Sequence, residues 1–298
     1  MREAIVRTGG ILLWLMALST GTGEAASTEL GPGATPQERN WQIGVSPSFS
    51  SGTYGTATTS SFFSAPWTFR RLFRDGDVSL VIPLVVSSTD GGVTLVGGNP
   101  VKVEKKGRDG DVPTVECDKK GTGKSCLTGR TEGQTVTTAG LGDIQLRGRY
   151  YVVEETDGRP LIALTARLKF PTANASQGLG TGAFDHGYGV EMSKVFFEKF
   201  IAYLDGGYNF IGNPDGLELQ NQYWYDVGAG YYVTRRILVS LYYEEYRALV
   251  PDFVNSRDLF LAFAYKASDA WRFNAGFTKG LSDNAPDYAV SVGSSYRF

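Results

Sequence analysis

The chain ends with YAVSVGSSYRF, residues 288–298, and this stretch decides the fold. Apart from Ser294, large apolar residues alternate with small or polar ones; the apolar set is Tyr288, Val290, Val292, Tyr296 and Phe298. Because side chains alternate across a β-strand, this spacing predicts a strand with one apolar and one polar face. In a soluble sandwich the apolar face would pack on a second sheet, whereas in a membrane barrel it contacts lipid.

The same alternation recurs upstream, which favours the barrel. In LIALTARLKF, residues 161–170, the polar face carries Arg167 and Lys169, which a soluble core would not accommodate. The predicted strands begin at Trp41, Phe62, Ser79, Leu141, Leu161, Phe184, Phe200, Tyr223, Arg236, Leu259, Trp271 and Tyr288. We therefore predict an all-β fold, a transmembrane antiparallel up-and-down β-barrel of about 12 strands with periplasmic N- and C-termini.

The connections between these strands alternate in length, as expected for a barrel with short periplasmic turns and longer outside loops. Short turns are predicted at residues 74–76, 156–159, 196–198, 233–235 and 267–269. Longer connections are predicted at residues 88–140, 172–183, 212–220, 248–256 and 281–286. An accidental pattern would mix the two sets.

The N-terminal residues have the three parts of an export signal. Two arginines, Arg2 and Arg7, precede an apolar run from Ile11 to Leu18, and small residues follow up to Ala26. The run is far shorter than the roughly 20 residues of a spanning helix. We predict a signal peptide over residues 1–25, a periplasmic segment over 26–40 and the barrel over 41–298, in a Gram-negative outer membrane.

The largest predicted loop, residues 88–140, is basic and rich in glycine. It contains Cys117 and Cys126, the only two cysteines, whose spacing in an exported protein predicts a loop disulfide rather than a metal site. The loop is either a lid, a surface for anionic lipopolysaccharide, or a decoration held by the disulfide. The formal net charge of −2 gives no reason to expect nucleic acid as a partner.

The predicted inward faces carry charges that segregate around the barrel wall. The lumen and selectivity candidates are Arg147, Arg149, Arg167, Lys169, Asp185, Glu191, Asp205, Asp226, Glu244, Lys266 and Arg272. We expect the first four to face Asp205, Asp226 and Glu244. Such an arrangement either selects a solute in an aqueous path or forms a salt-bridge network that fills the barrel as a scaffold. Inward glycines such as Gly207 and Gly228 favour the path.

The single histidine, His186, raises the alternative of an outer-membrane lipid hydrolase, in which an outward-facing His activates a Ser. His186 is predicted on the outward face, but Tyr188 stands where such an enzyme would place its serine. We therefore predict no enzyme, no catalytic residue, no metal and no cofactor.

Several short segments resemble a family of bacterial outer-membrane proteins labelled as meta-pathway phenol-degradation proteins or as transporters. The resemblance lies in GLGTGAFDHGYGVEMSK (178–194), YLDGGYNFIGNPDG (203–216) and GLSDNAPDYAVSVGSSYRF (280–298). It implies a barrel of this size with a channel role for small, often aromatic or apolar, compounds. The chain departs from the family at His186, where Tyr is more usual, and in the length of loop 88–140.

The sequence thus predicts a passive channel for a small solute. The expected partners are outer-membrane lipid, lipopolysaccharide and the outer-membrane insertion machinery. The aromatic residues Tyr296 and Phe298 resemble the terminal signal that this machinery reads.

Overall fold

The computed structural model describes residues 40–102, 135–214 and 219–298. The predicted signal peptide, the segment up to residue 39 and the predicted Cys117–Cys126 disulfide lie outside the described residues. The described residues form the barrel wall.

Nearly all of the regular structure is β-strand. The first eight strand segments are β1 (Trp41–Val45), β2 (Ser48–Gly52), β3 (Ser60–Phe73), β4 (Gly76–Thr89), β5 (Val93–Val96), β6 (Asn99–Lys102), β7 (Val136–Leu141) and β8 (Ile144–Val153). The remaining segments are β9 (Leu161–Phe170), β10 (Asp185–Phe196), β11 (Phe200–Phe210), β12 (Gln222–Thr234), β13 (Ile237–Tyr246), β14 (Ser256–Lys266), β15 (Trp271–Gly280) and β16 (Tyr288–Arg297). Within the described ranges, no helix is long and apolar enough to cross a membrane.

One antiparallel sheet closes on itself to form the barrel. Both β1 and β2 pair with β16 on one side and β3 on the other, and both β7 and β8 pair with β4. Each of these two pairs is one wall strand with a break in the middle. The 14 segments of the sheet therefore make 12 wall strands in the described part of the chain, which confirms the predicted up-and-down barrel.

Prolines account for the position of the two breaks. Pro66 of β3 and Pro83 of β4 are register partners, and neither can donate a backbone hydrogen bond. Their carbonyls instead accept hydrogen bonds from Ser46 N at 3.2 Å and Gly142 N at 2.8 Å, one at each break. The ladder is interrupted where proline removes its donors.

The outward face is apolar and carries aromatic residues at both ends. Those next to the short turns and the chain ends are Trp41, Phe73, Phe196, Phe200, Tyr231, Trp271, Tyr296 and Phe298. Those next to the longer loops are Phe170, Phe184, Tyr188, Phe210, Tyr223, Tyr225 and Tyr288. Two aromatic girdles around an apolar band are the outer surface of a membrane barrel.

The two ends of the barrel differ as predicted. At the turn end, the connections are residues 74–75, 154–160, 197–199, 235–236 and 267–270, and Trp41 and Phe298 exchange backbone hydrogen bonds there. At the loop end, the predicted loop 88–140 needs a correction, because β4 extends to Thr89 and β7 begins at Val136. Residues 136–141 pair with β4 because they continue the alternation that the wall requires.

Candidate functional site

The inward faces of the strands bring together every residue that the sequence placed in the lumen. The 11 predicted residues all have the inward register of their strands: Arg147, Arg149, Arg167, Lys169, Asp185, Glu191, Asp205, Asp226, Glu244, Lys266 and Arg272. Most of them are buried. The lumen is therefore charged and closely packed.

On the basic side, a chain of ion pairs lies near the turn end. Arg149 Nε lies 3.1 Å from Asp77 Oδ2, and Arg149 Nη1 lies 3.3 Å from Glu191 Oε2. Arg70 Nε approaches the same Asp77 carboxylate at 3.4 Å. Asp77 and Arg149 are direct register partners, so the sheet itself positions this pair.

A second group of paired charges lies nearer the loop end. Lys169 Nζ lies 2.7 Å from Asp185 Oδ2 and 3.4 Å from Asp143 Oδ2, and it donates to Thr181 Oγ1 at 2.9 Å. The Lys169 side chain is only 1% exposed. Lys169 thus pairs with Asp143 and Asp185, whereas the sequence predicted that it would face Asp205, Asp226 and Glu244.

On the acidic side, five carboxylates lie in one row across five neighbouring strands, β10 to β14. Their registers are Glu191 opposite Asp205, Asp205 opposite Asp226, Asp226 opposite Glu244, and Glu244 opposite Asp258. We call Glu191, Asp205, Asp226, Glu244 and Asp258 the acidic row. Asp205 Oδ1 accepts a hydrogen bond from Met192 N at 2.9 Å, and Glu191 pairs with Arg149.

Between the acidic row and the turn end, apolar and aromatic side chains of β11, β13 and β14 pack against one another on the inward face. The buried cluster consists of Ile201, Tyr203, Leu238, Tyr242, Phe260, Ala262 and Ala264. The ring of Tyr242 occupies the space that a side chain at Gly228 would need, since a Cβ there would lie 2.4 Å from Tyr242 Cδ1. The inward glycines on this side therefore accommodate neighbouring rings.

At the loop end, the β5–β6 hairpin enters the lumen. Its turn, Gly97–Gly98, has positive φ at both residues, the conformation that glycine adopts most readily in a tight hairpin. Gln145 Nε2 donates to the Gly97 carbonyl at 2.9 Å, and Val96 packs in a buried cluster with Leu249 and Val250. The hairpin closes the loop end of the barrel by packing inside it.

A second apolar cluster supports the hairpin. Val93 and Leu95 are buried with Tyr54, Phe62 and Leu179. The Tyr54 hydroxyl donates to Ser50 Oγ at 3.2 Å, and burial raises the pKa of this hydroxyl. The hydroxyl therefore stays protonated and contributes to the packing as a neutral group.

The histidine His186 lies on the outward face near the loop end. Its ring stacks on Phe210 at a centroid distance of 4.8 Å and meets Tyr188 edge-on at 5.9 Å. These contacts place His186 in the aromatic girdle.

Asp258 and Asp77 are lumen residues that were not predicted from the sequence. Their predicted strands begin at Leu259 and Ser79, where the apolar alternation starts, but the ladders continue to Ser256 and Gly76. Continuing the period of two by one or two residues past the apolar core would have placed both carboxylates on the inward face.

A closed barrel of 12 strands with an apolar exterior and a charged interior defines the class of outer-membrane β-barrels, which confirms the predicted location. The chain belongs to the family described as "Putative MetA-pathway of phenol degradation", whose model matches residues 77–298. The resemblance noted in the sequence is thereby confirmed.

Solved structures with the same fold include an outer membrane channel from Pseudomonas putida F1, with a TM-score of 0.57 and 14% sequence identity. The match covers 91% of this chain and 100% of that one. The toluene transporter TodX of P. putida gives a TM-score of 0.42 at 13% identity, covering 88% of this chain and 80% of that one. A search of curated protein sequences found no significant match. At 14% identity, the similarity to the P. putida F1 channel supports the fold alone. The similarity to TodX is too low to support a conclusion.

Proposed function

We propose that this protein is a passive channel for a small solute across the outer membrane. The observation that carries the proposal is the charged, polar inner face of a barrel whose outer face is apolar. Rings of charged side chains in a pore select solutes. Burying these charges costs free energy, which is not expected in a barrel that conducts nothing. The outer membrane channel from P. putida F1 has the same fold, which agrees with this function, and the family name suggests aromatic compounds.

The β5–β6 hairpin is the gate in this proposal, and the loop end faces the cell exterior. Lipopolysaccharide meets the exposed loops, and the turn end with both chain termini lies in the periplasm. A solute entering from outside displaces the hairpin from its apolar contacts with Leu249 and Val250. His186 acts as an interface residue rather than a catalytic base, because the ring contacts resolved for it are aromatic.

Conductance in planar bilayers tests both the channel and its gate. We expect small stepwise currents from the wild-type protein and several-fold more open time for Val96→Asp, which places a charge in an apolar cluster. Val254→Asp is the matched control, because Val254 is 50% exposed in the 247–255 connection while Val96 is 4% exposed. Equal currents from the two variants would contradict the gate.

A filled scaffold is the second candidate, and the close packing of hairpin and aromatic cluster favours it. It predicts no current from folded wild-type protein or from Val96→Asp. Folding is checked by the heat-dependent electrophoretic mobility of the barrel, so that an absent current is informative.

The C-terminal aromatic residues are the assembly signal in this proposal. Tyr296 and Phe298 lie on the outward face of β16 with their rings stacked at 6.1 Å. Phe298→Ala should lower the amount of folded barrel in the outer membrane, measured by membrane fractionation, and normal assembly would contradict the assignment.

A further inference from the structure

We infer that the acidic row binds an organic cation, so that the solute of the channel carries an ammonium or protonated amine group. This inference rests on the proposed channel function and names its substrate class. Direct register partners on a sheet lie about 5 Å apart, and like charges at that distance repel. Five carboxylates on successive register partners therefore repel one another and do not stabilise the fold.

At the β13–β14 end of the acidic row, two carboxylates have no basic side chain beside them among the described residues. Glu244 and Asp258 are 0% exposed, their carboxyl groups contact each other, and within the described ranges no basic side chain pairs with either of them. Thr278, on the inward face of the next strand β15 and diagonal to Asp258, is 1% exposed, and its hydroxyl has no hydrogen-bond partner among the described residues. Buried polar groups without partners are costly, so a bound cation with N–H or methyl groups would offset that cost.

Aromatic rings flank the row on both sides. Four of the five strands place an aromatic residue two positions from the carboxylate, on the same inward face: Tyr203, Trp224, Tyr242, Tyr246 and Phe260. We call these five residues the aromatic flank. Trp224 and Tyr246 stack at 6.4 Å on the loop side of the row, and Tyr203 and Tyr242 lie 5.0 Å apart on the turn side.

This combination identifies the kind of cation. Aromatic faces attract cations, and rings together with carboxylates are the means by which proteins recognise alkylammonium groups. In the part of the chain that the structure describes, no group of three or more His, Cys, Asp or Glu side chains could hold a metal ion. The carboxylates are instead spread along the wall, an arrangement suited to a solute that moves from one to the next.

Ion selectivity in planar bilayers tests the inference. Reversal potentials are measured in a KCl gradient, and then with benzyltrimethylammonium chloride replacing KCl on one side. We expect wild-type protein to prefer potassium over chloride and to pass benzyltrimethylammonium. Glu244→Gln combined with Asp258→Asn should reduce the cation-to-anion permeability ratio about tenfold, the factor that one strong interaction provides.

The control is Glu245→Gln, which removes a charge from the neighbouring, outward-facing position. Glu245 accepts hydrogen bonds from Tyr225 and Tyr243 at 2.8 Å on the outer surface, so selectivity should not change in this variant. A second pair tests the aromatic flank: Tyr246→Leu should lower benzyltrimethylammonium permeation relative to potassium, whereas Tyr246→Phe should retain it.

The outcomes separate the two proposals. A current that is anion-selective or unselective in the wild-type protein overturns the cation site and leaves the channel in place. Selectivity that is unchanged in the double variant also overturns the cation site. Folded protein without any current overturns both proposals.

Discussion

Both sides of the lumen wall contain buried carboxylates, but these carboxylates have basic partners on only one side. On the side of β4, β8 and β9, Lys169 and Arg149 each contact two carboxylates within 3.4 Å. On the side of β13 and β14, Glu244 and Asp258 are as deeply buried and have no basic partner among the described residues. The charges on the two sides are equally buried, but only those on one side have partners of opposite charge. This difference indicates that the two sides have different functions.

The paired side is structural by this comparison. Its ion pairs join neighbouring wall strands, since Arg149 of β8 contacts Asp77 of β4, 72 residues away in the chain, and Lys169 of β9 contacts Asp185 of β10. A buried pair contributes little by comparison with apolar packing, but breaking it is strongly destabilising because a charge is left behind. The unpaired side offers no such contribution to stability, so its carboxylates need another reason to be there.

We therefore expect the largest change in the free energy of unfolding when a basic side chain is removed from the paired side. Lys169→Met should lower the free energy of unfolding by about 3–5 kcal/mol, because it leaves Asp143 and Asp185 buried without their shared cation. Urea titration of the protein folded in lipid vesicles measures the change. Lys199→Met in the exposed turn 197–199 is the control, with an expected change within about 0.5 kcal/mol. A similarly small effect for Lys169→Met would show that the paired side is no more dependent on its ions than the other.

A medium effect is expected from filling the glycine gaps. Gly228→Ala should lower the free energy of unfolding by about 1–3 kcal/mol, because the new Cβ would overlap Tyr242, which cannot move away from Tyr203 and Phe260. The control is Gly148→Ala on the outward face of β8, where no atom lies within 4 Å of an added Cβ. The same titration measures both, and equal stabilities would show that the aromatic cluster is loosely packed.

Much of this architecture was predictable from the sequence because one rule, the alternation of side chains, governs every wall strand. It predicted the strand number, most of the inward charges and the outward position of His186. It did not predict that Pro66 and Pro83 would be register partners, since register depends on pairing between strands.

The arrangement inside the lumen could not be predicted in the same way. The choice of Asp143 as a partner of Lys169 depends on where a loop residue returns to the wall, and that of Asp185 depends on the register between β9 and β10. The entry of the β5–β6 hairpin depends on apolar contacts with residues far away in the chain. Alternation says which face a residue occupies. It does not give the register between neighbouring strands, so the acidic row became visible only with the registers of β10 to β14.

The smallest effect has the opposite sign and distinguishes the two ends of the acidic row. Glu244→Gln with Asp258→Asn should raise the free energy of unfolding by about 1 kcal/mol, because it removes like charges that face each other in register. Glu191→Gln should instead lower it by about 1–2 kcal/mol, since Arg149 then loses a charged hydrogen-bond acceptor. Both changes are measured by urea titration in the same vesicles at low salt, where repulsion is least screened. If the double variant loses stability as Glu191→Gln does, then Glu244 and Asp258 contribute to folding like the paired charges, and the contrast between the two sides of the lumen fails.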